Sequence, residues 1–249
     1  MIESIRIVLV ETIGALNLGS VARVMQNMGL SDLVLVNPQC RPDDPQAQQM
    51  AVHAQDILAG AKIVPDLLSA VQDCDRIIAT VGRIDKGDRS VLTLEQGCQW
   101  LAVSGTKPAV VFGREDRGLS NWELQYFPEV LTIDTVPTAP SLNLAQAVAI
   151  FCYQWRSLQQ SPPSAPPQTT QSTLANTAEL EAAFTELQDL LLHIGYLYPH
   201  TAFARMQKLR RIFQRSQLSS AEVNMLRGIL HQMRWSLSNG VVDGKRSGI

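Results

Sequence analysis

No stretch of this 249-residue chain approaches the roughly 20 consecutive apolar residues that a membrane-spanning helix requires. The amino terminus, Met1 to Arg6, lacks the basic start and apolar run of a secretory leader, so a cytoplasmic location is expected. Cysteine is sparse: Cys40, Cys74, Cys98 and Cys152 lie far apart, with no C-x-x-C pair, and no H-E-x-x-H occurs. Free thiols in a reducing compartment are therefore expected, and no metal site. A net charge of only −2 argues against a uniformly basic coat for nucleic acid and turns attention to local patches. Two nucleotide fingerprints are also missing. Gly14-x-x-x-x-Gly19 imitates the start of a P-loop, but Ser20-Val21 stands where Lys-Ser/Thr is needed, and the turn holds no G-x-G-x-x-G.

What is present supports a proper core, since 45% of the residues are hydrophobic. Apolar, largely β-branched runs at 5–10, 33–36, 62–64, 76–81, 108–112 and 130–133 predict strands. Between them the spacing predicts helices from Asn17 to Met28, within Asp43–Leu58, from Pro65 as first residue, over Leu94–Val103 and over Trp122–Tyr126. Gly29 suits the end of the first, because it accepts positive φ without strain. Strand–helix alternation implies an α/β domain with a mostly parallel sheet, which binds ligands at the carboxyl ends of its strands. Residues 159–177 are rich in Pro, Ser, Gln and Thr and carry no charge, as a linker would. Beyond them, Leu180, Phe184, Leu187, Leu191 and Ile194 recur at helical spacing, and helices are expected near 202–213 and 219–237, with Ser219 or Ser220 as a cap. The expected division is a domain at 1–158, a linker at 159–177 and a helical extension at 178–249.

Candidate site residues cluster in loops at strand ends. Ser141 is placed to cap the helix that follows Pro140, with Asn143 inside its first turn. Asn17 and Arg23 sit near one end of the first helix, where amides and a guanidinium favour an anion. Glu115, flanked by Arg114 and Arg117 and by Gly113 and Gly118, is placed to hold Arg23, to receive a proton, or simply to pair with a neighbouring arginine. Charge is asymmetric: Arg205, Lys208, Arg210, Arg211, Arg215, Arg227 and Arg234 are offset along that span only by Glu222. A solvated helix face would look the same, but the tight cluster favours a polyanion such as RNA or DNA.

Three ordered stretches, Asn17-Leu18-Gly19-Ser20-Val21-Ala22-Arg23, Val111-Phe112-Gly113-Arg114-Glu115-Asp116-Arg117-Gly118-Leu119 and Ser141-Leu142-Asn143-Leu144-Ala145, resemble the motifs of the TrmH family of SPOUT-class RNA methyltransferases. The tail, with Lys208-Leu209-Arg210-Arg211-Ile212-Phe213-x-Arg215 and Leu226-Arg227-Gly228-Ile229-Leu230, resembles that of the family's tRNA-modifying branch. The resemblance implies an α/β fold with a mostly parallel sheet, a C-terminal trefoil knot and a small helical extension. It also implies a homodimer that uses S-adenosyl-L-methionine to 2′-O-methylate ribose in tRNA at cytidine or uridine 32. Ribosomal RNA as substrate, or RNA binding without catalysis, are the alternatives. Carried over by motif position, the cofactor pocket is Thr80, Val81, Gly82, Gly113, Ile133, Pro140, Ser141 and Leu142. The catalytic set is Arg23, Asn17, Glu115, Ser141 and Asn143. RNA would be held by Arg23, Arg83, Arg205, Lys208, Arg210, Arg211 and Arg215. A charged arginine has no acceptor for a proton, so Arg23 is expected to orient substrate rather than act as base.

Overall fold

The computed structural model describes residues 4–82, 90–127, 129–160 and 174–238. The chain divides into two compact units, Met1–Thr170 and Gln171–Ile249. Among the described residues no helix is long and apolar enough to cross a membrane.

The first unit runs β1 (Arg6–Val10), α1 (Ala15–Met28), β2 (Leu33–Val36), α2 (Pro45–Ala51), α3 (Gln55–Ala59), β3 (Lys62–Val64), α4 (Leu67–Val71), β4 (Arg76–Thr80), β5 (Ser90–Thr93), α5 (Leu94–Leu101), β6 (Pro108–Phe112), α6 (Asn121–Leu124), β7 (Glu129–Thr132) and α7 (Leu144–Gln160). The seven strands form one sheet in the order β3-β2-β1-β6-β4-β7-β5, and each of these pairings is parallel. A parallel sheet is buried on both faces, so its strands read as continuous apolar runs, with alternate residues serving opposite cores. Ile7, Leu9, Leu35, Val110, Phe112 and Leu131 join Met25, Leu101, Phe151 and Trp155 on one face. Val8, Val10, Val34, Val36, Ala109 and Val111 join Leu67, Val71 and Phe127 on the other.

Several local details follow from single residues. Gly29 closes α1 with φ +77 and donates to the Gln26 carbonyl at 3.2 Å, as its position predicts. Gly19 lies within α1, where an added Cβ would stand 2.2 Å from the Ala47 carbonyl oxygen of α2. Its glycine is therefore required by the close approach of two helices, which accounts for the P-loop imitation without any phosphate. The helix expected from Pro65 instead starts at Leu67, because the Asp66 carboxylate accepts from the Ser69 amide at 2.8 Å and sets the cap one residue after the proline. β5 was not expected from the sequence: Ser90–Thr93 is a half-exposed edge strand with little apolar pattern, paired with β7 on one side only.

The second unit contains α8 (Thr177–His193), α9 (Pro199–Arg215) and α10 (Ser220–Ser238). Asn176 and Glu179 form a reciprocal capping box, and Ser219 and Glu222 make the same exchange ahead of α10. Phe184, Leu197, Ala202 and Met206 form its core, with Ala175, Ala183 and Val223 beside them. At both ends of the expected linker, 159–177, the chain takes part in helix or buried structure. α7 runs to Gln160, and Ala175 is already buried, its amide donating to the Leu218 carbonyl at 2.9 Å. Residues 161–173 lie outside the described residues.

The acidic residues of α8 alter the charge picture. Arg210 pairs with Glu181, Arg227 with Glu186 at 2.6 Å, and Arg234 with Asp189 at 3.6 Å. The tail's arginines are thus partly neutralised within the unit, by carboxylates that precede the span in which the charges cluster.

Candidate functional site

The carboxyl ends of the central strands β1, β6, β4 and β7 bring four loops to one edge of the sheet. Glu115, in the loop after β6, reaches back across β1. One of its oxygens accepts from the Gly14 amide and from Asn17 Nδ2, each at 3.1 Å, and the other from the Ile13 amide at 3.1 Å. Burial by itself would raise its pKa. The hydrogen bonds from Ile13, Asn17 and Gly14 outweigh that, and the carboxyl titrates below the ordinary glutamate range. Glu115 is therefore an ionised anchor for the start of α1. It pairs with neither Arg23 nor a neighbouring arginine, and a depressed pKa makes it a poor proton acceptor.

Asn17 passes the chain of bonds onward. Its Oδ1 accepts from Asn143 Nδ2 at 2.9 Å. The Asn143 Oδ1 in turn accepts from the Ala145 amide at 2.9 Å and the Gln146 amide at 3.4 Å, while Gln146 Oε1 accepts from the Asn143 amide. Asn143, not Ser141, is thus the cap of α7. Ser141 lies outside the helix, exposed, with its hydroxyl unused among the described residues. One continuous network therefore joins the loop after β6, α1 and the start of α7.

Arg23 projects from α1, exposed, without an ion-pair partner among the described residues. Arg114 and Arg117 are occupied: Arg114 by Asp116 at 2.7 Å and Glu11 at 3.3 Å, Arg117 by Glu123 at 3.1 Å and Glu11 at 2.9 Å. Hydrogen bonds to Glu123 and Glu11 push the Arg117 pKa further up and hold its guanidinium charged. Glu11 escaped the sequence analysis. It follows β1 directly and adopts φ +51, a left-handed conformation that is uncommon for a residue with a Cβ. Its carboxylate ties the loop bearing Glu115 to the end of β1. A lone glutamate between a strand and a glycine loop offers no local pattern that reveals this.

The residues proposed for the cofactor line the adjoining loops. Thr80, Val81, Gly113, Ile133, Pro140 and Leu142 are half-buried, and Gly82 and Ser141 exposed. A Cβ on Gly82 would lie 3.7 Å from the Pro140 carbonyl oxygen and 3.9 Å from Ser141 Cα, so the loops after β4 and β7 meet there. The Thr135 hydroxyl donates to Pro140 O at 3.2 Å and Thr80 to Val111 O at 3.1 Å. At Gly113 a Cβ would stand 2.4 Å from Gly118 C and Leu119 N, so only glycine permits the loop to fold back on itself. The loops after β4, β6 and β7 thus approach one another largely through backbone.

Of the residues assigned to RNA, Arg205, Lys208 and Arg215 are exposed on α9 and Arg211 is half-buried. Arg210 is buried against Glu181 and the Phe184 ring, 4.7 Å from its centroid, so its guanidinium is committed inside the unit. Arg83 lies outside the described residues. Among the described residues no group of three or more His, Cys, Asp or Glu is placed to hold a metal ion.

Comparison with known proteins matches residues 4–153 to the SpoU rRNA Methylase family and residues 178–241 to the C-terminal domain of tRNA methyltransferase TrmJ. A Salmonella typhimurium protein named tRNA (cytidine/uridine-2′-O-)-methyltransferase TrmJ is 39% identical over 236 residues, 92% of this chain and 96% of its own. An Escherichia coli protein of the same name is also 39% identical, over 92% and 95%. Among solved structures, TrmJ from Z. mobilis ZM4 superimposes with a TM-score of 0.82 at 30% identity, covering 93% of this chain and all of that one. A probable methylase family protein from Haemophilus influenzae gives 0.63 at 31%, over 96% and 100%.

Proposed function

Since the chain belongs to the SpoU rRNA methylase family, we propose that it transfers the methyl group of S-adenosyl-L-methionine to a ribose 2′-hydroxyl of tRNA, at cytidine or uridine 32 of the anticodon loop. The observation that carries this is likeness over 92% of the chain, within both units, to proteins named as tRNA 2′-O-methyltransferases. Position 32 comes with the motif resemblance. The proposal includes the division into a catalytic unit at 1–158, a connector at 159–177 and an RNA-holding extension at 178–249. It also includes a trefoil knot in the loops after β4, β6 and β7, supported by the meeting of Gly82 with Pro140 and Ser141. A homodimer in the cytoplasm completes it. Exposed Ile13, Leu16, Ile150 and Tyr153, on or beside the site helices α1 and α7, supply apolar surface for a second copy.

When bound, the cofactor supplies an activated methyl for in-line displacement, which leaves the protein to align the oxygen and receive its proton. The Glu115–Asn17–Asn143 network fixes α1 against the start of α7 and so sets where Arg23 points. Arg23, charged and without an ion-pair partner among the described residues, presents a planar fork to a ribose-phosphate oxygen and stabilises charge that develops there. Ser141, exposed beside Gly82, stands ready to hydrogen-bond the ribose. Gly82, Gly113, Ile133, Pro140 and Leu142 offer backbone donors and acceptors for the cofactor.

The test incubates the full chain with labelled S-adenosyl-L-methionine and, separately, unmodified tRNA transcripts and ribosomal RNA, and maps ribose methylation by nucleotide. Label at nucleotide 32 of tRNA is expected. Label in ribosomal RNA alone, or at another tRNA nucleotide, would overturn the substrate or site assignment. No label on either RNA would overturn the enzyme.

A further inference from the structure

We infer that the segment joining α8 to α9 is a stacking platform for unpaired RNA bases, built from Tyr196 and Tyr198. This deepens the RNA substrate proposed above and rests on it. The cause lies in the local sequence Gly195-Tyr196-Leu197-Tyr198-Pro199. Gly195 takes φ +75, which turns the chain sharply out of α8, and Leu197 then inserts into the helical core at 1% exposure. Its amide donates to the Leu191 carbonyl at 3.0 Å, which locks that placement. The chain bends at Tyr196 and Leu197. With Leu197 turned inward at that bend, Tyr196 and Tyr198 on either side of it are left 55% and 53% exposed.

The rings are held, not loose. Arg205 donates to the Tyr196 carbonyl at 2.7 Å and lies 5.6 Å from its ring centroid. His200 stacks beside Tyr198, centroids 6.0 Å apart and planes within 22°. The backbone around them is fixed independently of the rings, since the Tyr198 carbonyl accepts from the Thr201 and Ala202 amides at the start of α9. Planar aromatic faces presented to solvent cost little entropy to engage and match any base, whereas a protein partner of no stated charge would not need what surrounds them. No Asp or Glu occurs between Asp189 and Glu222. Exposed Arg205, Lys208 and Arg215 fall at i, i+3 and i+10, on one side of α9. Rings flanked by cations, with no carboxylate in the same stretch of chain, are what a single-stranded polyanion with stackable bases requires. An anticodon loop offers both; in a duplex the bases are already paired and stacked on one another.

The test measures equilibrium binding of the full chain to an anticodon stem-loop RNA and to a duplex of equal length, for the parent, Tyr196→Ala, Tyr198→Ala and the two Phe variants. Each Ala substitution is expected to raise Kd for the stem-loop roughly 5-fold or more, to leave duplex binding unchanged, and to be rescued by Phe, which keeps the ring. A 5-iodouridine photo-crosslink from the loop should map to residues 194–205 in the parent chain, a readout independent of any variant's folding. Unchanged loop binding, failure of Phe to rescue, or a changed oligomeric state in the Ala variants would overturn the platform. Methylation by the parent chain is assayed alongside. Turnover on tRNA with unchanged loop binding sinks the platform alone. Loop-selective binding without turnover sinks the enzyme alone.

Discussion

Replacing Glu115 by glutamine removes one charge and almost no volume, and it strikes the point where three site segments meet. The carboxylate accepts from Ile13 N, Gly14 N and Asn17 Nδ2, all at 3.1 Å. A glutamine has a single acceptor oxygen. In one orientation it keeps Gly14 and Asn17 and turns its NH₂ against the Ile13 amide; in the other it keeps Ile13 alone. Hydrogen bonds to a charged group are worth about 1.5–3 kcal/mol each where water is excluded. This site is open to solvent, which screens them. Losing one bond and weakening the others is then about 1–2 kcal/mol, or roughly a 5- to 30-fold fall in kcat/KM. The melting temperature should fall about 2–8 °C.

The pH dependence gives a sharper check. Glu115 titrates below the ordinary glutamate value in the folded chain. Its stabilisation is fully present above the unfolded carboxyl pKa and vanishes as pH falls through the lower folded one. Parent and Glu115→Gln melting curves should therefore differ by a constant amount well above the ordinary glutamate pKa of about 4.3 and converge only as pH falls through the lower folded value. Steady-state kinetics and scanning calorimetry across that window decide it. Full kcat/KM in Glu115→Gln, or a gap in melting temperature that widens on acidification, would refute the anchoring role.

Arg23→Lys should lower kcat/KM at least 10-fold, because a point charge replaces a planar fork, while melting stays unchanged; equal turnover would argue against the fork. Gly113→Ala places a Cβ 2.4 Å from the backbone of Gly118 and Leu119. Denaturant unfolding should show a loss of about 1–3 kcal/mol, and calorimetric titration a weakened affinity for S-adenosyl-L-methionine. Arg210→Met leaves Glu181 buried and uncompensated, with side chains only 10% and 12% exposed, and should cost about 3–5 kcal/mol. Adding Glu181→Leu should recover most of it, and chemical denaturation of the four-member cycle measures the coupling.

Local pattern carried much of the sheet. Leu33–Val36 and Pro108–Phe112 are strands within the bounds their apolar runs predict, because a strand buried on both faces has no other way to be written. Edges carry less information. Ser90–Thr93 pairs on one side only and needs few apolar residues, so nothing marks it. Caps were confused where two good cappers lie close together. Ser141 and Asn143 both suit the role, and Asn143 takes it because its side chain also meets Asn17. The site itself was reachable only through resemblance. Glu115 and Asn17 are 98 residues apart, and Asn143 and Asn17 126 apart, beyond any helical or strand period. The charge of the tail was counted incompletely for the same reason. Charges counted along the chain missed Glu181, Glu186 and Asp189, which oppose the arginines across helices.

The position of β6 has a consequence for how this protein is made. β6 sits between β1 and β4, and β4 has no neighbours except β6 and β7, both later in the chain. A ribosome that has delivered β1, β2 and β3 has delivered a sheet whose β1 edge still awaits its partner, and β4 then emerges with nothing to pair with. About 100 residues separate β1 from the strand that completes it; such distant pairing slows folding, and open strand edges invite association with other chains. Synthesis past Phe112 closes the centre, and only the arrival of α7 brings Asn143 to Asn17. Nascent chains halted before residue 108 should remain sensitive to protease along β1 and β4, and those halted before residue 143 should hold a sheet without a working site.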